Sequence, residues 1–469
     1  MKNLSLSAIA RACGSNLING SDILNKEVDS VVIDSRMVEE SSLFVATKGE
    51  RVDGHSFIGK AIDQGAIAVV CEVPPTENDG KSIPYILVED SFEALKKIAM
   101  YYRSTLEIPI ISIVGSVGKT STKEMVASVL SQKYNVLKTQ GNYNNEIGLP
   151  LTILRIKEEH EVAVLELGIN QFGEMTRLGE IAKPNYVVMT NIADCHLEFL
   201  HNREGVLKAK SEILPFVLEG GKVILNGDDI LLRRIYDMTN ELSFDCESYG
   251  LNLENTITAK DISNKGLLGS TCEFLIGEDK LNVDIRIPGN HAVYNAMAAV
   301  LVAKSLGLNN VEIENGILKA RTIQGRSNII ETEDYIVIDD CYNANPTSMK
   351  TAIDMLCLSN TRKIAVLGDM GELGENEVEL HKEVGEYVAN SDVDICVCIG
   401  GLSRSIAEAV IESEDTNCEA KYMLNIQEFK MNAHNLINEG DSILIKASHS
   451  MGFNEIVEFL KNAELFSVK

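Results

Sequence analysis

The chain of 469 residues contains no tryptophan, and aromatic residues make up only 5% of it. So few rings argue against a platform on which nucleic-acid bases stack. Cationic charge is also scarce. Lys and Arg number 43 against 69 Asp and Glu, a net charge of −26. A surface of that sign is repelled by nucleic acid and by anionic membrane, although a local cationic pocket can still hold an anionic substrate. No uninterrupted apolar run reaches the ~18–20 residues of a membrane span. The opening MKNLSLSAIARACGS breaks its apolar stretch with serines and Arg11, and reads as an amphipathic first element and not as a signal peptide. The ten cysteines show no CxxC pair and no regular spacing. They read as free thiols of a cytoplasmic protein, with Cys396 and Cys398 on one face of a buried strand. There is no internal repeat and no low-complexity tract.

What is present is an ordinary globular composition, 45% hydrophobic and 24% charged, in a chain long enough for about three domains. Short β-rich runs alternate with helical patterns: AIAVVCEVP (66–74), IPIISIVG (108–115), HEVAVLELG (160–168), NYVVMTNI (185–192), GKVILNGD (221–228), DYIVIDD (334–340), RKIAVLGD (362–369), VDICVCIG (393–400) and DSILIKAS (441–448). Continuous apolar runs of this length suit parallel strands buried on both faces, and their alternation with helices implies α/β layers. The Pro-, Gly- and charge-rich segment VPPTENDGKSIPY (73–85) marks the edge of a small first domain. After the helical stretch 291–308 and its successor, RTIQGRSNIIE (321–331) opens a new strand series.

The strand IPIISIVG leads into Gly115-Ser116-Val117-Gly118-Lys119-Thr120-Ser121 and then a helical pattern. Glycines let backbone N–H groups curl around phosphate oxygens, and the helix N-terminus adds its positive dipole end. Lys119 is placed to reach the β/γ-phosphates and the Thr120 hydroxyl to ligate Mg²⁺. The spacing is shorter than the eight-residue GxxxxGK[ST], so the strand-to-helix context carries the reading. Two further groups follow strands: Glu166 ends HEVAVLE, and His196 follows NYVVMTNI. Each alone reads more readily as a loop residue. Next to a phosphate loop, at the carboxyl ends of strands where ligands gather, both become candidates for a phosphate-bound Mg²⁺, the carboxylate more so than the imidazole.

GSVGKTSTKE, TQGNYNNEIGLPLT (139–152), ELGINQFGEM (166–175), TNIADCHLEFL (190–200), KAKSEIL (208–214), PGNHAVYNAMAA (288–299), DDCYNANPTSM and LGDMGELG (367–374) together resemble the Mur ligase family, as does DSRMVEESSLFVATKGERVDGHSF (34–57). The resemblance spans nearly the whole chain. It implies three α/β domains: 1–84, a small one binding the UDP end of the substrate; 85–318, with a P-loop-type, mostly parallel sheet covered by helices on both faces; and 319–469, a Rossmann-like domain that closes over the site. It also implies an ATP-dependent amide ligase of peptidoglycan precursor synthesis. YNANP followed by LGDMGELG, with no DNPR motif, implies that D-alanyl-D-alanine is joined to UDP-N-acetylmuramoyl-tripeptide through an acyl phosphate. The third residue of that peptide is left open, and a monomer is expected. The rivals are another amide ligase of the family with a different amine or acceptor, and an idle paralogue that only binds UDP-linked peptide.

Residue by residue, the resemblance gives Lys119 the phosphates, Thr120 and Glu166 one Mg²⁺, and His196 a second. Lys210 matches a lysine that the family carbamylates with CO₂, which would turn an ammonium into a metal ligand. Read alone, it is a helix-surface lysine. His291 and Asn295, one helical turn apart, match residues against the adenine. Arg326 matches an arginine that reaches the ATP phosphates, and Asp340 an aspartate near the ribose, with Tyr342, Asn343 and Asn345 in the same ATP-binding cluster. Asn142, Asn144 and Asn145 fall in a loop near the muramyl-peptide. Asp34, Ser35, Arg36, Lys48, Asp53, Gly54 and His55 fall where the family binds UDP, and Lys446 and Ser448 on the dipeptide side. The chain departs from the family at Val114, commonly a small hydroxyl residue, and at His201, commonly glycine. It reads Lys446-Ala447-Ser448-His449 where KGSR is usual, and Asn454 where a glutamate follows.

Overall fold

In the computed structural model all residues are described except 50, 77–81, 238–243, 464 and 467–469. Part of the 73–85 segment therefore lies outside the described residues. Among the described residues the strands form three sheets, of five, nine and six strands.

In the first sheet, Ser30–Val32, Ser42–Val45, Ala66–Cys71 and Tyr85–Leu87 run parallel, and Leu17–Ile18 closes the edge antiparallel to the last. Tyr85–Leu87 thus belongs to the first sheet, past the expected limit at residue 84.

The central sheet carries seven parallel strands. Ile110–Val114 lies third from one edge, flanked by Val162–Glu166 and Tyr186–Met189. Each of these three interior strands is buried on both faces, as their unbroken apolar runs require, apart from the half-buried Tyr186. The far edge is an antiparallel meander of Ile257–Asn264, Ser270–Ile276 and Asp279–Ile285. Sequence reading passed over it because its last two strands interleave buried with half-buried or exposed residues, without an unbroken apolar run.

Two helices fix the phosphate-loop face. Lys119–Leu130 packs on Asn290–Ser305, whose residues Ala292, Val293 and 295–303 are all buried. Four alanines in that run let the helices approach closely. Helix Asn310–Lys319 also lies against Lys119–Leu130, with Gly316 at the contact. On the opposite face, helix Ser91–Ser104 joins the first two domains into one continuous hydrophobic core, running from Leu4 through Leu43 and Ile98 to Leu232. Arg103, buried in that join, donates hydrogen bonds to the carbonyls of Ala182 and Lys183 at 2.8 Å each.

The third sheet is parallel apart from its edge strand Asn328–Glu331, and it has its own cores on its two faces. No described helix is long and apolar enough to cross a membrane.

A methyl group at Gly316 would sit 2.4 Å from the Val129 Cα, a backbone atom that cannot yield. Overpacking of this kind typically costs ~1–3 kcal/mol. Gly316→Ala is expected to lower the thermal unfolding midpoint by several degrees. Gly401→Ala, where a methyl meets nothing within 4 Å, should leave it within about a degree. Equal midpoints for the two variants would show that this helix contact is slack.

Candidate active site

The strand Ile110–Val114 ends at Gly115, where a side chain would strike the Thr190 hydroxyl at 1.9 Å. Gly118 has φ +81°, a left-handed conformation that glycine adopts without strain, and it caps the helix Lys119–Leu130. Asn191 holds the loop between them: its Oδ1 accepts from the Val117 N–H at 2.9 Å and its Nδ2 donates to the Val117 carbonyl at 3.0 Å. Thr190 donates to the same carbonyl at 2.7 Å. The first-turn N–H groups of the helix, without intrahelical acceptors, face the same opening.

That opening is a cleft of about 1390 Å³ lined by residues of the central and third domains. It brings together Ser116 to Ser121, Asn142, Asn144, Asn145, Glu166, His196, His291, Asn295, Arg326, Asp340, Tyr342, Asn343, Asn345, Lys446 and Ser448. Asp34, Ser35, Arg36, Lys48, Asp53, Gly54 and His55 do not line it. Among these, Arg36 pairs with Asp34 at 2.6 Å on an exposed surface, and its hydrogen bonds hold the Asp34 carboxyl down at about 2. His55 has both ring nitrogens engaged, Nδ1 with Asp53 at 2.7 Å and Nε2 accepting from the Glu72 N–H at 2.9 Å.

Lys119 donates to the loop carbonyls of Gly115 and Ser116 at 2.9 and 3.2 Å. Burial, followed by the nearby Lys210 charge, pushes its pKa down to about 8, and Arg326 acts in the same direction. Three cations thus converge on one loop of a strongly acidic protein. Phosphate binding would relieve their repulsion.

Lys210 is 1% exposed. It sits at the end of helix Arg203–Ser211, but on the inner side and not on the surface. Among the described residues its ammonium has no carboxylate at ion-pair distance. Burial lowers its pKa, with only Cys195 acting against that.

Glu166 is 2% exposed. Its Oε1 accepts from Asn144 Nδ2 at 2.9 Å, while Oε2 accepts no hydrogen bond and lies 3.8 Å from Lys123 Nζ. A buried carboxylate oxygen left without a donor is what a hard cation would satisfy. No cluster of three His, Cys, Asp or Glu side chains stands ready for a metal among the described residues. That suits Mg²⁺, which is commonly held by one or two carboxylates together with substrate phosphates. Glu166, with the buried Thr120, fits such an ion.

Several expected contact residues are engaged by the protein itself. Asn295 Oδ1 accepts from the Thr122 hydroxyl at 2.8 Å, locking the two helices. Asn345 caps helix Pro346–Cys357 in a capping box with Ser348. Lys446 donates to the Asp340 carboxylate at 2.5 Å and to the Asn343 carbonyl at 3.0 Å. Ser448 Oγ accepts from the Gly371 N–H at 2.7 Å. His291 is half-buried, with its Nδ1 buried and unpartnered, and desolvation lowers its pKa. The Arg326 guanidinium lies 4.0 Å over the Tyr342 ring, which in turn stacks on His449 at 5.4 Å. His201 has φ +68°, which explains why glycine suits that position.

Sequence reading missed Lys123, Asn191 and Glu372. Lys123 is buried beside Glu166 and donates to the Thr139 carbonyl at 2.8 Å. Glu372 reaches from the third domain to His196 Nδ1 at 2.5 Å, and that hydrogen bond lowers its pKa. All three lie inside motifs already singled out, but nothing local says what each one touches.

Comparison with known proteins agrees with this geometry. Residues 27–103 match the Mur ligase family, catalytic domain; 113–303 match the Mur ligase middle domain; and 325–449 match the Mur ligase, glutamate ligase domain. The chain belongs to the Mur ligase family, and the enzyme is an amide-forming, ATP-dependent ligase with the expected α/β fold. Individual relatives carry a narrower name. UDP-N-acetylmuramoyl-tripeptide--D-alanyl-D-alanine ligase of Bacillus subtilis is 37% identical over 447 residues, covering 93% of this chain and 94% of its own length. The crystal structure of MurF from Acinetobacter baumannii superposes with a TM-score of 0.89 at 30% identity, covering 98% of this chain and 99% of that one. MurF ligase from Thermotoga maritima, in complex with ADP, gives 0.79 at 30% identity over 93% and 97%.

Lys119→Ala is expected to fold normally and to lose about 10²–10³ in turnover, the usual effect of deleting one transition-state charge contact. ATP-dependent phosphate release measures it. Release near the wild-type rate would remove the nucleotide from this loop.

Proposed function

We propose that this chain joins D-alanyl-D-alanine to UDP-N-acetylmuramoyl-tripeptide, consuming ATP. The full-length kinship with ligases of that name carries the reading. The YNANP and LGDMGELG segments of the third domain supply residues to the same cleft as the phosphate loop, which supports it. The acceptor's terminal carboxylate attacks the γ-phosphorus and ADP leaves. The dipeptide amine then attacks the acyl carbon, loses a proton, and phosphate departs. Negative charge builds on the transferring phosphoryl group, so preorganised cations are the main requirement.

Lys119 exchanges its two loop carbonyls for phosphate oxygens. Arg326, stiffened by Tyr342, meets them from the third domain. Thr120, Glu166 and Lys210, with His196 at a second position, would hold Mg²⁺, which when bound neutralises phosphate charge. The first domain takes the UDP end through Asp34 to Arg36, Lys48 and Asp53 to His55, and the Asn142 to Asn145 loop takes the muramyl-peptide. His291 and Asn295 take the adenine, and Asp340 the ribose. One chain holds every group named, so no partner subunit is needed. The place of action is the cytoplasm, where ATP and UDP-linked precursors meet.

Lys210 acts in this reading as its carbamate. The neutral amine attacks the carbon of CO₂, an N–C bond forms, and one proton is released to solvent. Burial that favours the neutral amine supports this, as does the missing counter-charge.

Two outcomes test the proposal. D-alanyl-D-alanine should stimulate phosphate release only in the presence of a UDP-muramyl-tripeptide, with the pentapeptide product seen by mass. Better turnover of a free amino acid with a UDP-muramyl-dipeptide would assign the preceding reaction instead. Lys210→Ala should be nearly inactive, and high bicarbonate or acetate should partly restore it by refilling the vacated space. Full activity of the alanine variant would end the carbamate assignment and leave the ATP site as it is.

A further inference from the structure

We propose that Glu372, carried by the third domain, is the positioning residue for His196, so that the central site is completed only when the third domain is closed over it. The inference rests on the ligase reading of the same cleft. The contact joins residues 176 positions apart, His196 Nδ1 and Glu372 Oε2, at 2.5 Å. The carboxylate engages Nδ1, which fixes the ring and leaves Nε2 as the nitrogen available to the cleft that His196 lines.

Backbone geometry marks both partners. His196 has φ +52° and Glu372 φ +60°. Left-handed conformations at non-glycine residues are costly and persist where the surroundings dictate them.

Those surroundings are explicit on the Glu372 side. The Met370 N–H donates to His381 Nε2 at 2.9 Å, and His381 Nδ1 donates to the Glu377 carbonyl at 2.6 Å. The Gly371 N–H donates to Ser448 Oγ at 2.7 Å, and Asp369 Oδ1 accepts from the Ser403 N–H at 2.7 Å. Every one of these anchors lies within the third domain. The loop therefore presents Glu372 in a fixed pose, and its carboxylate and the neighbouring Gly374 meet the central domain. Gly374, at φ +70°, comes against the backbone of Glu198, two residues beyond His196. The phosphate-loop contacts, by contrast, are all made within the central domain.

The test separates binding from chemistry. Glu372→Ala should leave ADP affinity, read by calorimetry, within about twofold. It should lower kcat about 10–100-fold, the range seen when an outer-sphere partner of a ligating histidine is removed, with KM for ATP little changed. Glu372→Gln keeps an acceptor oxygen and should recover most of that loss. His196→Ala and the double variant His196→Ala/Glu372→Ala should be equally impaired, since the carboxylate acts only through the imidazole. A distance label on each of the second and third domains, read with a non-hydrolysable ATP analogue and acceptor, should report a more open average in Glu372→Ala. Wild-type kcat and closure in Glu372→Ala, or additive effects in the double variant, would overturn the proposal. Absent wild-type turnover with any muramyl-peptide would instead be the failure of the ligase reading, and the distance measurement would still decide this one.

Discussion

Ile110–Val114 is hydrogen-bonded to Val162–Glu166 on one side and to Tyr186–Met189 on the other, and all three strands run the same way. Their carboxyl ends therefore open together. The phosphate loop leaves the middle strand, Glu166 ends the second, and Thr190 and Asn191 follow the third. Parallel pairing thus brings chemically different groups to one edge without any contact between them in sequence. The cost is a loop that must turn sharply against its neighbour, which Gly115 and Gly118 permit.

Around that edge the protein holds groups that are unsatisfied when considered alone. Lys210 is buried with no carboxylate at ion-pair distance among the described residues, Glu166 Oε2 accepts no hydrogen bond, and the Lys119 pKa is pushed down by burial and then by its cationic neighbours. Buried, incompletely paired groups oppose folding. The large hydrophobic cores on both faces of the central sheet offset them. Ligand groups of the right sign then find donors and acceptors already in position, and little reorganisation remains for the reaction itself.

The phosphate loop was legible because strand, glycines, Lys-Thr and helix are contiguous. The buried parallel strands were legible because their apolar runs are unbroken. The meander at 257–285 was not, since half of its side chains face water. Asn345 and Lys446 lie in the cleft as expected, yet a helix cap and a loop clasp occupy their polar atoms, and only the folded backbone reveals that. The His196 to Glu372 contact was invisible because its partners lie in different domains. The burial of Lys210 was likewise hidden: its helix has charged residues all along it, and only the turn at His201 decides which side faces in.

The hydrophobic join between the first two domains has a consequence for synthesis. Both central cores are built wholly from residues up to Ala320, and the third domain's buried core residues all follow it. Because the chain emerges N-terminus first, the nucleotide-binding body can collapse on the ribosome before any third-domain strand has been translated. The nascent protein would then carry a finished phosphate loop whose cleft still lacks one wall. The missing wall is the one that carries Arg326, Asp340 and Tyr342.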